Sequence, residues 1–306
     1  MLSFRIAPNF WLKNIRLSQN ERFVGIMIRI VDFKKYRENI IALWHECFGD
    51  ERGYIEFFLD NCPNKLCIGS FENGVLASML FLLNGVVGGL SCRYIYAACT
   101  SRRFRSKGLM GGLIEYSKKY CAENKTDMIF LVPAEECLYG YYAKFGFIPK
   151  MQRAECALKG GSGEFKATKT TDIKSVTKRR LELLSSMKCF AFDMQTTEYT
   201  VAEFLRTGGE IYSCDGENGF LAFTVTDGKS AVIKEILTDF DSNFTIILDL
   251  FKNLRAENVY IYAPLVYNNT DMGFKATKCG MLYPITDNSK SFIKDEDIFY
   301  SGMYLD

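Results

Sequence analysis

The sequence predicts a mixed α/β (α+β) chain built as two successive parts, on three observations. Short apolar runs of strand length alternate with amphipathic helical stretches from residue 27 onward. Lys159-Gly-Gly-Ser-Gly163 interrupts that alternation with three glycines and a serine, the composition of a flexible linker. Beyond it a similar order of elements returns. Val259-Tyr-Ile-Tyr-Ala-Pro264 echoes Met128-Ile-Phe-Leu-Val-Pro133, each just after a helical stretch, as expected of a diverged internal repeat.

The elements follow in order. Residues 1–26 show no clear period and are expected to be an N-terminal extension; Met27 is an alternative native start. Met27–Val31 reads as the first strand. Asp32 is placed to cap a helix running to about Cys47, with Tyr36, Ile40, Leu43 and Trp44 at helical spacing and Phe48-Gly-Asp50 ending it. A second helix covers about Tyr54–Leu59. Strands follow near Lys65–Phe71, Val75–Leu83 and Arg93–Cys99, the first two joined by the hairpin signal Asn73-Gly74. A helix at Leu109–Glu123, a strand at Met128–Val132, a helix near Glu135–Lys144 and a strand near Cys156 complete a first domain over 27–158. After a linker over 159–164, a second domain over 165–306 holds a helix near Ile173–Met187 and strands near Glu210–Cys214, Gly219–Thr226 and Ser230–Leu237. A helix near Phe244–Leu254 and a strand at Asn258–Ala263 follow.

Composition narrows the function. Of 306 residues 48% are apolar and 24% charged, enough for a sizeable core and too ordered a profile for disorder or collagen. Lys and Arg number 38 against 36 Asp and Glu, so the net charge of +2 gives no field for bulk nucleic-acid binding. The eleven cysteines are odd in number, scattered and without a CxxC pair, and His45 is the only histidine. A Cys/His metal site therefore has little to build on, and free thiols suggest a reducing, cytoplasmic setting. Met1–Ser18, broken by Arg5, Pro8 and Lys13, is not a secretory signal. The most apolar run, Met79–Leu90, is interrupted by Asn84 and three glycines, whereas a membrane helix needs ~20 residues.

The chemistry concentrates where the strand ending in Ala98-Cys99-Thr100 runs into a basic loop that opens a helix. Arg102, Arg103, Arg105 and Lys107 are followed by Gly108, Gly111 and Gly112 in the first helical turns. Each helical glycine costs roughly 1 kcal/mol relative to alanine. Two explanations stand side by side: close approach of a phosphate or pyrophosphate to a helix N-terminus, or tight packing of the helix on the sheet. Neither a P-loop nor a dinucleotide fingerprint is present.

Arg105-Ser106-Lys107-Gly108-Leu109-Met110 resembles the R/Q-x-x-G-x-G/A signature of the GNAT superfamily of N-acetyltransferases. Tyr142-Ala-Lys-Phe-Gly146-Phe147 resembles its later Y-x-x-x-G-F motif, in the expected order around Met128–Val132. The resemblance covers about residues 27–158. It implies a GNAT-like central mixed sheet flanked by helices, followed by a second, diverged GNAT-like domain, in a two-domain arrangement distantly like the Eis-type proteins. It implies backbone N–H groups of Arg105 to Met110 on the pyrophosphate of acetyl-CoA as co-substrate. It also implies that backbone groups of Ala98, Cys99 and Thr100 orient the pantetheine and polarise the acetyl carbonyl, and that Tyr142 protonates the departing thiolate. Met110 departs from the family's Gly or Ala.

Tyr139 is the reserve for Tyr142, and a core-packing role for Tyr142 is the alternative. Glu135, Glu136 and His45 are open as bases, and Cys99 as a ping-pong thiol. Ile236–Asn243 is acidic and lacks R-x-x-G, so the second domain is expected not to bind CoA but to help form an acceptor groove. Nothing in the sequence brings Asp306 to the site. The expected function is direct acetyl transfer to an amine of a small molecule or peptide. The alternatives are a non-catalytic acyl-CoA-binding or sensory module, and an interaction scaffold. No nucleic acid, membrane or metal is implied, and self-association into a homo-oligomer is left open.

Overall fold

A computed structural model describes residues 26–161, 163, 167–215, 219–238, 248, 251–254, 256–265 and 273–305. The N-terminal extension up to residue 25, Ser162 and Glu164 of the linker, most of the helix expected over 244–254, most of the acidic stretch and Asp306 lie outside the described residues.

The first half runs β1 (Ile26–Ile30), α1 (Phe33–Phe48), α2 (Arg52–Asn61), β2 (Leu66–Glu72), β3 (Val75–Val87), β4 (Leu90–Thr100), α3 (Leu109–Glu123), β5 (Met128–Leu131), α4 (Glu136–Ala143) and β6 (Ile148–Lys159). The Asp32 carboxylate accepts from the N–H groups of Lys34 and Lys35, and Gly49 closes α1 in the left-handed region at φ +78°. The second half runs β7 (Thr168–Thr170), α5 (Ile173–Leu184), β8 (Phe190–Phe192), α6 (Met194–Arg206), β9 (Glu210–Cys214), β10 (Phe220–Thr226), β11 (Ser230–Thr238), β12 (Asn258–Ala263) and β13 (Lys275–Pro284). A short helix at Asp287–Phe292 and β14 (Phe299–Tyr300) follow.

All fourteen described strands join one sheet, in the order β1-β2-β3-β4-β5-β13-β6-β12-β11-β10-β9-β7, with β8 beside β3 and β14 beside β6. The order is a mirrored repeat. β4 and β5 are parallel, as are β11 and β12. The centre is exchanged: β13, late in the chain, pairs antiparallel with β5, while β6 pairs antiparallel with β12. The chain therefore carries a second, diverged copy of the first half's architecture, and each half borrows a strand from the other.

On one face of the first half, α1 and α2 bury Trp44 and Phe58 against Phe81, Tyr94 and Phe130, and Phe190, Phe192, Tyr199 and Leu305 from the second half join that core. On the other face Leu113 and Ile114 of α3, Tyr142 of α4 and Phe147 just beyond α4 are buried with Ile68, Leu80 and Ile129. Separate clusters around Ile233 and Ile261, and around Val201 and Phe223, build the second half.

The glycines of the expected linker are close-packed where described. Gly160 N–H donates to the Glu257 carbonyl at 3.0 Å and Gly163 N–H to Asn253 Oδ1 at 2.9 Å. A Cβ on Gly160 would lie 1.8 Å from the Ala256 carbonyl oxygen.

Sequence reading misses α6 and β13 for physical reasons. Threonines 196, 197 and 200 are buried on α6, which disguises its apolar period. Gly280 in β13 is required by close packing, since a Cβ there would meet the Phe130 ring at 2.5 Å, but in the sequence it reads as a break. Among the described residues no helix is long and apolar enough to cross a membrane.

Candidate active site

The site begins as a defect in the sheet. The β4–β5 ladder ends at the pair Ile95–Leu131. Two residues later Ala97 takes φ +47°, left-handed for a residue with a Cβ. Opposite it the β3–β4 register slips between Met79 and Phe81, the pattern of a β-bulge. Beyond the bulge β4 stays paired with β3 but parts from β5, leaving a cavity of about 370 Å³. Tyr96, Ala97 and Ala98 line one side and Val132 and Ala134 the other; Trp44, Asp50, Tyr142, Tyr304 and Leu305 close it.

The cavity opens a path between the two faces of the sheet. Tyr142 belongs to the core of the α3–α4 face, whereas Trp44, Tyr94 and Leu305 belong to the core of the opposite face. Tyr142 is buried, and that burial, with the neighbouring Tyr141 second, pushes its phenol up to about 12. Such a group keeps its proton at any physiological pH. Tyr139, the reserve candidate, is outside the cavity lining and carries Lys278 over its ring at 5.0 Å.

Ala98 is the one of the three predicted strand residues that lines the cavity. The Cys99 carbonyl accepts from Ser78 Oγ at 2.8 Å, and the Thr100 carbonyl accepts from Arg105 Nε at 3.2 Å and Cys47 Sγ at 3.5 Å. Cys99 is buried and its thiol is pushed far up, first by the Cys47 thiol beside it and then by burial. Cys47 is correspondingly lowered to about 7, with Cys99 the leading cause and Arg105 a lesser one.

Arg105, Ser106, Lys107 and Gly108 are exposed, with Ser106 at φ +62° and Gly108 at φ +75°. Gly108 caps α3 in that conformation, and a Cβ on it would meet nothing within 4 Å. The first bond of α3 closes from Gly112 N–H to the Gly108 carbonyl at 3.0 Å, so the amides of Leu109, Met110 and Gly111 precede it. The other two glycines answer to packing: a Cβ on Gly111 would lie 3.0 Å from the Phe145 ring, and one on Gly112 2.9 Å from Ile28. Packing thus accounts for Gly111 and Gly112, while Gly108 stands in open space at a positive φ. Leu109 is buried and Met110 packs partly buried against the α3–α4 core, so its side chain points away from the loop's solvent face.

The predicted bases fall outside the cavity. Glu135 and Glu136 are exposed, and Glu136 pairs with Lys278 at 2.8 Å. His45 is exposed and donates from Nδ1 to the Asp50 carbonyl at 2.8 Å. Asp50 is the residue that sequence reading takes only as a helix end. Its Oδ2 accepts from Trp44 Nε1 at 2.7 Å, and it is the one acidic residue among the described residues lining the cavity. Tyr304 and Leu305 are likewise missed, because 211 residues separate Leu305 from Tyr94, whose hydroxyl donates to the Leu305 carbonyl at 3.1 Å. No cluster of three or more metal-ligating side chains occurs among the described residues.

The mixed sheet, split between β4 and β5 and flanked by helices, has a GNAT-like fold. Residues 28–149 match the acetyltransferase (GNAT) domain family. The fold is shared with a probable N-acyltransferase of unknown function from Enterococcus faecalis (TM-score 0.68, 13% identity, 86% of this chain and 73% of the other). It is also shared with Eis1 from Mycobacterium abscessus (TM-score 0.63, 9% identity, 85% and 73%). A tandem GNAT protein of the clavulanic acid biosynthesis pathway aligns at TM-score 0.51 with 10% identity, over 86% of this chain and 99% of its own. No curated protein matches the chain significantly.

Proposed function

We propose that the protein is an acetyl-CoA-dependent N-acetyltransferase acting by direct transfer to an amine. The observation that carries this is the inter-strand cavity, which joins Ala98 and Tyr142 to Asp50 across the split sheet. The thioester supplies an activated acyl group. The amides of Arg105 to Met110, with the open space over Gly108 and the exposed cations, suit its pyrophosphate. The donor enters on the α3–α4 face, and the backbone of Ala98 faces the carbonyl on which negative charge builds. Cys99 and Thr100 support that backbone, their carbonyls being held by Ser78, Arg105 and Cys47.

The acceptor enters from the opposite face. Asp50, held by Trp44, orients the amine and takes its proton as nitrogen bonds to the carbonyl carbon. The C–S bond breaks, and Tyr142 gives its proton to sulfur. The acceptor is a small molecule or a peptide bearing a primary amine, and a reducing, cytoplasmic setting suits eleven free thiols.

The test is the melting temperature with and without acetyl-CoA, with Arg105→Glu as control, followed by thiol release over a panel of amines. A ligand at 100 times its Kd adds ~2.7 kcal/mol. A shift abolished by Arg105→Glu, with turnover, supports the reading. A shift without turnover on any amine reduces the protein to an acyl-CoA-binding module, and no shift removes the cofactor assignment.

A further inference from the structure

The last described residues are held from two sides. Arg180 on α5 and Glu235 on β11 form an ion pair with both side chains 1% exposed or less. Arg180 Nε donates to Glu235 Oε2 at 2.6 Å and Nη2 to Oε1 at 3.1 Å. The remaining capacity of the pair goes to Tyr300 and Met303: Oε1 also accepts from Met303 N–H at 2.8 Å and from Tyr300 Oη at 3.1 Å, and Arg180 Nη2 donates to the Met303 carbonyl at 3.3 Å. Gly302 makes the approach possible at φ +65°, where a Cβ would lie 2.9 Å from the Phe190 carbonyl oxygen and 3.2 Å from Arg180 Nη2. At the far end Tyr94 holds the Leu305 carbonyl.

The clamped stretch is a partition. Tyr304 and Leu305 line the inter-strand cavity, and with Met303 they also line a second cavity of about 290 Å³, whose other wall includes Glu203 and Thr200 of α6. A buried ion pair is a weak source of stability, because desolvation offsets most of its attraction. Here both partners spend hydrogen bonds on one residue's backbone, which points to placement as the gain.

Resting on the acyltransferase reading, we propose that Arg180 and Glu235 are a positioning pair. They fix Met303–Leu305 as the acceptor-side wall of the active site, with the second cavity as the chamber through which the amine substrate approaches. The second half then acts on catalysis without touching the acyl donor.

The test compares wild type with Arg180→Met/Glu235→Met, which removes the clamp but leaves no buried charge unpaired, and with Tyr94→Phe, which frees only the far end. Substrates are acetyl-CoA and the fastest acceptor from a panel comprising a diamine, an amino sugar and a lysine peptide. The expected result is an acceptor KM raised at least tenfold in the double variant and severalfold in Tyr94→Phe. KM for acetyl-CoA should stay within twofold, and the melting temperature should be nearly unchanged in Tyr94→Phe. Acceptor KM within twofold of wild type in folded variants overturns the proposal. Should the double variant not fold, Tyr94→Phe and Tyr300→Phe decide by the same criterion. Hydrogen exchange separates this proposal from the reading beneath it: faster exchange at the amides of Met303–Leu305 in the variants reports the clamp even if wild type acetylates no amine, and unchanged exchange overturns it.

Discussion

Trp44 donates its indole N–H to Asp50 Oδ2 over 2.7 Å, from a ring that is itself 1% exposed. Asp50 at the cavity is thus held by a buried side chain packed among Phe58, Phe81 and Tyr96, ring centroids 5.1–5.5 Å away.

Asp50→Asn keeps an acceptor for the Trp44 N–H but removes the charge. It is expected to lower kcat/KM for the amine about 100-fold or more and to leave acetyl-CoA affinity within twofold. Steady-state kinetics in both substrates checks this, and an unchanged kcat/KM removes Asp50 from the role.

Tyr142→Phe deletes the proton proposed for sulfur and is expected to lower kcat about 100-fold. Because burial raises the phenol to about 12, the proton is held below that pH and lost only above it. Wild-type kcat should therefore show no falling limb from this group between roughly pH 8 and 10; a fall there that Tyr142→Phe abolishes would contradict the assigned environment.

Cys47 should be the reactive thiol among the half-buried and buried cysteines. Its pKa is lowered to about 7, so the thiolate, the species that alkylates, grows as pH rises through that value. Mass spectrometry after brief iodoacetamide treatment should give a midpoint near 7, and Cys99→Ala should move it upward by removing the leading cause of the shift.

Gly85→Ala tests the seam between the halves. Its Cβ would lie 2.4 Å from the ring of buried Phe190 and 2.9 Å from the Ala191 carbonyl oxygen, where β8 pairs with β3. Overpacking of this kind costs about 1–3 kcal/mol. Urea denaturation should show that loss; a neutral result would mean the seam is loosely packed.

What the sequence makes legible is what short range determines. The Asp32 cap, the Gly108 start of α3 and the left-handed Gly146 after α4, at φ +80°, each follow from a residue and its immediate neighbours. The basic loop and the helix that carries Tyr142 are local features of the same kind. The rest of the site depends on distant parts of the chain. The bulge at Ala97 exists only against the slipped register of β3, Asp50 faces the cavity only because α1 ends over the split strands, and Tyr304 and Leu305 arrive from the other half. The order of β13 and β6 was equally hidden, because strand exchange leaves the alternation of elements along the chain unchanged.

That exchange has a consequence for how the protein comes into being. Chains leave the ribosome N-terminus first. β5 is made by residue 131 but its partner β13 begins at Lys275, so the GNAT domain waits with an open edge while the second half is synthesised. Open edges recruit foreign strands, and pairings so distant in sequence form slowly. A fragment ending near residue 158 should be aggregation-prone although it contains every motif residue, and the two copies can no longer be inherited, lost or traded separately.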